Sequence, residues 1–269
     1  MSASLRKGEI GRRALAAQVG ERFYADWTSN DHRARRLVSE AIGTSGLTFV
    51  LSGGAAILAA HGGAVLAPYQ FAFILSAVSA LWLVAAVYFL GDISAHFNPA
   101  MTLAFTLRRD MGWRMALVYF AVQFAAASAG SLAAAGLFGH GGNLAATVPQ
   151  PGQPWQAVAF EAILTFGMVL LVLGMANGPK LNGSFVPVAV GAYVMAMGTM
   201  GGPYDGAAFN PARAFGPDLA RGDFSTYWVY PAGSVIGVVV AVLVAHFLRG
   251  PAKAREAEAA MGTPLDEGA

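Results

Sequence analysis

The 269-residue sequence contains no cysteine. That excludes disulfides, thiolate nucleophiles and cysteine-based metal sites, and it leaves redox compartment unread. Charge is also scarce. Only 12% of the residues are Asp, Glu, Lys or Arg, against about a quarter in soluble domains. The histidines form no ligand cluster, since His61, His140 and His246 fall at the edges of separate apolar segments. No metal or cofactor site is read. A nucleophile elbow, a zinc motif and a phosphate loop are all absent, so the pattern is not that of an enzyme. A formal net charge of +2 gives no reason to expect a nucleic-acid partner. Residues 1–36 mix Arg and Lys with Glu9, Glu21, Asp26 and Asp31, and they carry no long apolar core. They read as a soluble tail, not a cleaved signal.

In place of charge there are hydrophobic residues, 56% of the chain. A spanning helix needs about 20 mainly apolar residues. Six segments qualify, at about 37–60, 69–91, 114–138, 155–176, 184–203 and 227–248. Two apolar pieces, about 98–108 and 210–220, are too short to cross and read as re-entrant half-helices. The expected fold is an all-α membrane protein with six transmembrane helices. Its channel domain covers 37–248, with a first repeat at about 37–138, a second at about 155–248, and a tail at 249–269. Six spans put both termini on one side. Of the 17 Lys and Arg, only Arg213 and Arg221 then fall outside, which agrees with the positive-inside rule and places both termini in the cytoplasm.

Each short piece opens on the same tripeptide, Asn98-Pro99-Ala100 and Asn210-Pro211-Ala212. Asn caps a helix and Pro fits its first position, so each copy reads as a helix start. Each half has three spans, with its half-helix between the second and third. An odd number of spans inverts one half relative to the other, so the half-helices enter from opposite faces and meet near the midplane. A helix N-terminus carries free N–H groups and about half a positive charge. Two such ends repel cations and protons, while the Asn98 and Asn210 amides offer donors to the oxygen of a neutral solute.

Other polar residues fit around this pair. Glu40 and Glu161 lie in the first span of each half and are expected to accept hydrogen bonds from loop N–H groups, although Glu40 could also sit at the membrane boundary. Arg213 follows the second tripeptide and would supply a fixed positive charge near the outer mouth. His96 either lines the inner pore or packs against the loop. Asp205 and Asp218 stiffen the second loop or face the outer vestibule. The Gly233–Gly237 spacing permits close helix approach, within the bundle or between copies.

From Glu40 to Leu248 the chain resembles the aquaporin, or major intrinsic protein, family. Ser94-Ala95-His96-Phe97-Asn98-Pro99-Ala100-Met101-Thr102 is similar to the family's first signature, and Asn210-Pro211-Ala212-Arg213 with Gly216-Pro217 resembles the second. Ser94 departs from the pattern, which usually has Gly there. The resemblance implies a right-handed six-helix bundle with two half-helices, usually assembled as a homotetramer with one pore per subunit. It also implies a four-residue selectivity filter. By offset from the two Asn residues these positions are Val78, Gly198, Ala207 and Arg213. The Val78 position assumes no gap between the second span and the first half-helix.

Water-selective members resemble one another in placing Phe and His at the first two positions. Here Val78, Gly198 and Ala207 leave the filter wide, and Gly198-Thr199-Met200-Gly201-Gly202-Pro203 looks like glycerol facilitators. Ala214 and Asp218 depart from that subgroup, while Tyr227-Trp228 resembles water channels. Wide filters also occur in members that resemble metalloid channels. The reading is a passive channel in a cell membrane, in contact with lipid, for glycerol or neutral metalloid hydroxides and some water. Its rivals are a water-selective pore and an inverted-repeat secondary transporter.

Overall fold

Long apolar segments broken by Gly, Pro and short polar turns give a chain of helices. The computed structural model describes residues 30–62, 66–176 and 185–251. Its helices are α1 (Asn30–His61), α2 (Pro68–Leu90), α3 (Pro99–Leu107), α4 (Trp113–Phe138), α5 (Pro154–Ala176), α6 (Val186–Asp205), α7 (Pro211–Arg221) and α8 (Val229–Arg249). A short 3-10 turn, Gly141–Ala145, joins the halves. Helix α1 begins before the apolar run, so the last residues assigned to the N-terminal tail are helical. The rest of that tail, Lys180 and most of the C-terminal tail lie outside the described residues.

Among the described residues, five helices (α1, α2, α4, α5 and α8) are long and apolar enough to cross a membrane. The sixth expected span is α6. It has 20 residues but falls short in apolarity, because Gly191, Gly198, Gly201, Gly202 and Pro203 dilute it. Those glycines serve packing instead. A Cβ at Gly202 would stand 2.7 Å from the Cβ of Ala72, and one at Gly191 would run into Val84, both on α2. So α6 exchanges apolar side chains for close approach to α2.

Packing repeats between the halves. Helix α1 pairs with α4, α5 pairs with α8, and α2 pairs with α6 across the halves. The first half-helix, α3, packs against α8, and the second, α7, packs against α4. Each half-helix thus rests on the third span of the opposite half. Small residues and hydroxyls fill the crossings. Thr48 Oγ1 donates to the Ala127 carbonyl at 3.0 Å, and Ser52 and Ser131 hydroxyls pair at 3.0 Å between α1 and α4. Thr165 and Ser234 pair at 3.3 Å between α5 and α8. At Gly233 an added Cβ would meet Glu161 and Val158, and at Gly237 it would meet Ala162. That spacing is therefore used inside the bundle, between α8 and α5.

Candidate functional site

The two half-helices start beside each other. Asn98 caps α3 by accepting from the Ala100 N–H at 2.8 Å, and Asn210 caps α7 by accepting from the Ala212 and Arg213 N–H groups at 3.1 and 3.2 Å. Their amide nitrogens cross over. Asn98 Nδ2 donates to the Phe209 carbonyl and Asn210 Nδ2 donates to the Phe97 carbonyl, each at 2.9 Å. Each amide has two N–H donors, and one of them ties its half to the other. Phe97 and Phe209 both hold left-handed backbone, with φ of 48° and 32°. That conformation is unfavourable for a large side chain, so something must hold it.

A buried carboxylate holds it in each half. Glu40 accepts from the His96 and Phe97 N–H groups, both at 2.8 Å. Glu161 accepts from the Ala208 and Phe209 N–H groups at 2.6 and 2.7 Å. Both side chains are fully buried within the protein. Further donors surround Glu40, with Ser94 Oγ at 2.7 Å and Gln123 Nε2 at 2.9 Å. Gln123 also donates to Thr102 Oγ1 at 3.0 Å, and Ser94 Oγ pairs with Tyr119. Ser94, the departure from the family pattern, is thus a working part of the first loop's support.

Two cavities lie on either side of this junction and share Leu47, Leu83 and Asn210. The one toward the Gly141–Ala145 turn has a volume of about 210 Å³, and Gly198, Ala207 and Arg213 line it together. The guanidinium of Arg213 is buried and donates to the Ala145 carbonyl at 2.8 Å. Ala145 ends a run of left-handed residues, Gly142 to Ala145, that turns this carbonyl toward the Arg. Val78 lines neither cavity, whereas Ser79 lines the Arg213 side. Counting back through the turn at 91–97 makes the offset sensitive to its length, and one residue of difference rotates a helix position by about 100°.

The other cavity is about 460 Å³ and is lined by His96, Asn98, Met101, Met168 and Met175 among others. His96 is buried. It faces this cavity, yet its Nδ1 pairs with Thr102 Oγ1 at 2.9 Å and its ring lies 4.8 Å from that of Phe105. Asp205 is buried and accepts from the Ala207 N–H at 2.9 Å, so it stiffens the loop. The Tyr230 hydroxyl donates to the Asp205 carbonyl at 2.9 Å. Asp218 is buried too and pairs with Arg221 at 3.4 Å, so it does not face an open vestibule. Among the described residues no group of His, Asp or Glu is arranged to hold a metal ion.

The family model for major intrinsic proteins matches residues 27–245. The chain belongs to the major intrinsic protein family. As such it is a multi-pass membrane channel for small neutral solutes and water, and not an enzyme. Among the relatives of this major intrinsic protein is aquaporin NIP1-3 of Oryza sativa subsp. japonica, 34% identical over 232 residues, which are 82% of this chain and 78% of that protein. Nodulin-26 of Glycine max is 31% identical over 224 residues, 80% of this chain and 78% of the other. The X-ray structure of the aquaglyceroporin from Plasmodium falciparum shares the fold, with a TM-score of 0.67 at 22% identity, covering 78% of this chain and 94% of that one.

Some residues of the site escape a reading of the sequence. Gln123 carries a visible signal, a polar side chain inside a span. The Ala145 carbonyl carries none, because any residue has one. Ser94 and Ser79 are small and common, and only their neighbours give them a role.

Proposed function

We propose that this family member conducts small, uncharged, polyhydroxylated solutes, either glycerol or trihydroxy acids of metalloids, together with some water, and rejects protons and ions. The observation that carries the reading is the wall facing Arg213. Gly198 and Ala207 line that cavity with almost no side-chain volume, and Ser79 adds only a hydroxyl. A single charged donor facing small residues leaves room for a solute wider than water and gives it one fixed hydrogen-bond partner. The paired helix starts at Asn98 and Asn210 oppose cations, because two positive helix ends point at one place.

The water-selective reading rests on Tyr227-Trp228. Those rings are used elsewhere. Tyr227 packs on Phe215 and Phe224, and Trp228 packs on Trp155. A coupled transporter would need an ion-binding carboxylate, and Glu40 and Glu161 are already held by loop N–H groups. The proposal extends to placement, with a homotetramer in a cell membrane and both termini in the cytoplasm. The inner cavity, lined by residues at the end of α2, then faces the cytoplasm.

Stopped-flow light scattering on proteoliposomes tests the conduction. Glycerol or boric acid should re-swell shrunken protein vesicles faster than empty ones, without an ion gradient. Equal rates in the two preparations, with water flux raised, would leave the water-selective reading in its place.

A further inference from the structure

Gly198 does not simply leave a hole. A Cβ added there would stand 2.5 Å from the Oγ of Ser76 and 3.2 Å from its Cβ. The volume that a residue at 198 would otherwise fill is therefore taken up in part by the Ser76 hydroxyl, reaching over from α2. Ser76 is 6% exposed and lines the same cavity as Arg213. One turn along α2, Ser79 lines it as well, and its hydroxyl donates back to the Ser76 carbonyl at 3.1 Å. Among the described residues the Ser76 hydroxyl itself makes no hydrogen bond to the protein. A nearly buried hydroxyl with no protein partner, at the surface of a cavity, is available to whatever passes.

The two polar groups reach the cavity from different walls. Arg213 rides on α7, which packs against α4 and α1, and its guanidinium is anchored on Ala145. Ser76 rides on α2, whose main neighbours are α6 and α1. A solute between them meets a charged donor on one side and a hydroxyl, able to donate or accept, on the other. Glycerol has hydroxyls along one edge and C–H groups along the other, so only one of those walls suits it. Boric acid, a planar trihydroxy acid, turns a hydroxyl in every in-plane direction and satisfies both. Leaving a polar wall unmatched is unfavourable for the solute that lacks the partner.

We propose that Ser76 is a specificity-determining residue, whose hydroxyl, seated in the space vacated by Gly198, ranks trihydroxy acids above glycerol. This rests on the reading of the chain as a polyhydroxy-solute channel. The test compares boric acid, glycerol and water permeabilities of proteoliposomes carrying the unmodified protein, Ser76→Ala and Ser76→Cys. Removing one neutral hydrogen bond should lower the boric acid to glycerol ratio about three- to tenfold. Cysteine keeps nearly the same volume with a weak donor, so Ser76→Cys should fall with Ser76→Ala. An unchanged ratio in both variants, or a loss in Ser76→Ala that Ser76→Cys restores, assigns Ser76 to packing and overturns the inference. If Ser76→Ala carries no water, the protein has lost its fold, and Ser76→Cys alone decides. If the unmodified protein passes neither boric acid nor glycerol, the solute reading itself fails, and that outcome is visible before any variant is made.

Discussion

Asn98 Nδ2 and the carbonyl oxygen of Phe209 lie 2.9 Å apart, across the plane where the two halves meet. Asn210 repeats the bond to Phe97. The residues that open the half-helices also pin each half to the other's loop, and each amide keeps one N–H free of that bond. The junction is therefore both the tether and the donor pair.

Replacing Asn98 by Asp keeps the cap to Ala100 but removes the donor to Phe209 and sets a carboxylate where two positive helix ends converge. A barrier built on those ends should fall. We expect Asn98→Asp to raise proton leak about tenfold, equivalent to about 1.4 kcal/mol of barrier. A pH-sensitive dye trapped in vesicles reads it. Unchanged proton leak, with solute conduction retained, would show that the helix ends do not set the barrier.

Glu161 holds Ala208 and Phe209, and Phe209 is held in left-handed backbone. Glu161→Ala leaves two buried N–H groups without a partner, at about 1–3 kcal/mol each. The variant should melt well below the unmodified protein in detergent, and Glu40→Ala should do the same because its geometry is the repeat of this one. Glu161→Gln keeps one acceptor oxygen, so its melting temperature should fall between the two. Thermal unfolding followed by tryptophan fluorescence measures all three. Equal stability of Glu161→Ala and the unmodified protein would mean that the loops hold their shape without the carboxylates.

Ser79 and Val78 compete for the α2 place in the filter. Ser79 lines the Arg213 cavity and Val78 does not. Ser79→Phe should reduce glycerol and boric acid flux at least about tenfold while sparing much of the water flux, since an aromatic ring narrows the passage toward one water. Val78→Phe should leave solute flux within about twofold, as expected of a site off the lining. The reverse ranking of the two variants would restore Val78 to the filter.

What the sequence disclosed, and what it withheld, follows from the range of the interactions. Asn98 and Asn210 were legible because a cap, a Pro and a short apolar run are contiguous in sequence. Glu40 and Glu161 were legible because a carboxylate inside a span is costly and must be held. The inverted pairing followed from counting spans. The left-handed Phe97 and Phe209 were not legible, since nothing in a Phe announces that backbone. The Asn cross-bonds are made to main-chain carbonyls more than a hundred residues away, and main chain has no letter of its own. Which residue of α2 faces Arg213 depends on the length of one turn, and α6 falls below spanning apolarity because glycines such as Gly191, Gly198 and Gly202 serve its approach to α2.

The absence of cysteine makes a last prediction unusually clean. Mercury(II) blocks channels by binding thiolates, and this chain has none to offer. Mercuric chloride should leave water and solute permeability of the unmodified protein unchanged. A single thiol placed in the filter should reverse that. Ala207 lines the Arg213 cavity, is 5% exposed, and its N–H is held by Asp205, so Ala207→Cys adds a thiol to a braced loop. Its left-handed φ of 45° is already borne by a residue with a Cβ, so cysteine brings little new backbone strain. Permeability of Ala207→Cys should fall at least about tenfold on adding mercury and return with a thiol reductant, while Val78→Cys, off the lining, should respond far less. The stopped-flow rates before mercury, after it and after reduction decide the matter. Inhibition of the cysteine-free protein would locate the block outside the pore, and a mercury-insensitive Ala207→Cys would place residue 207 away from the path of the solute.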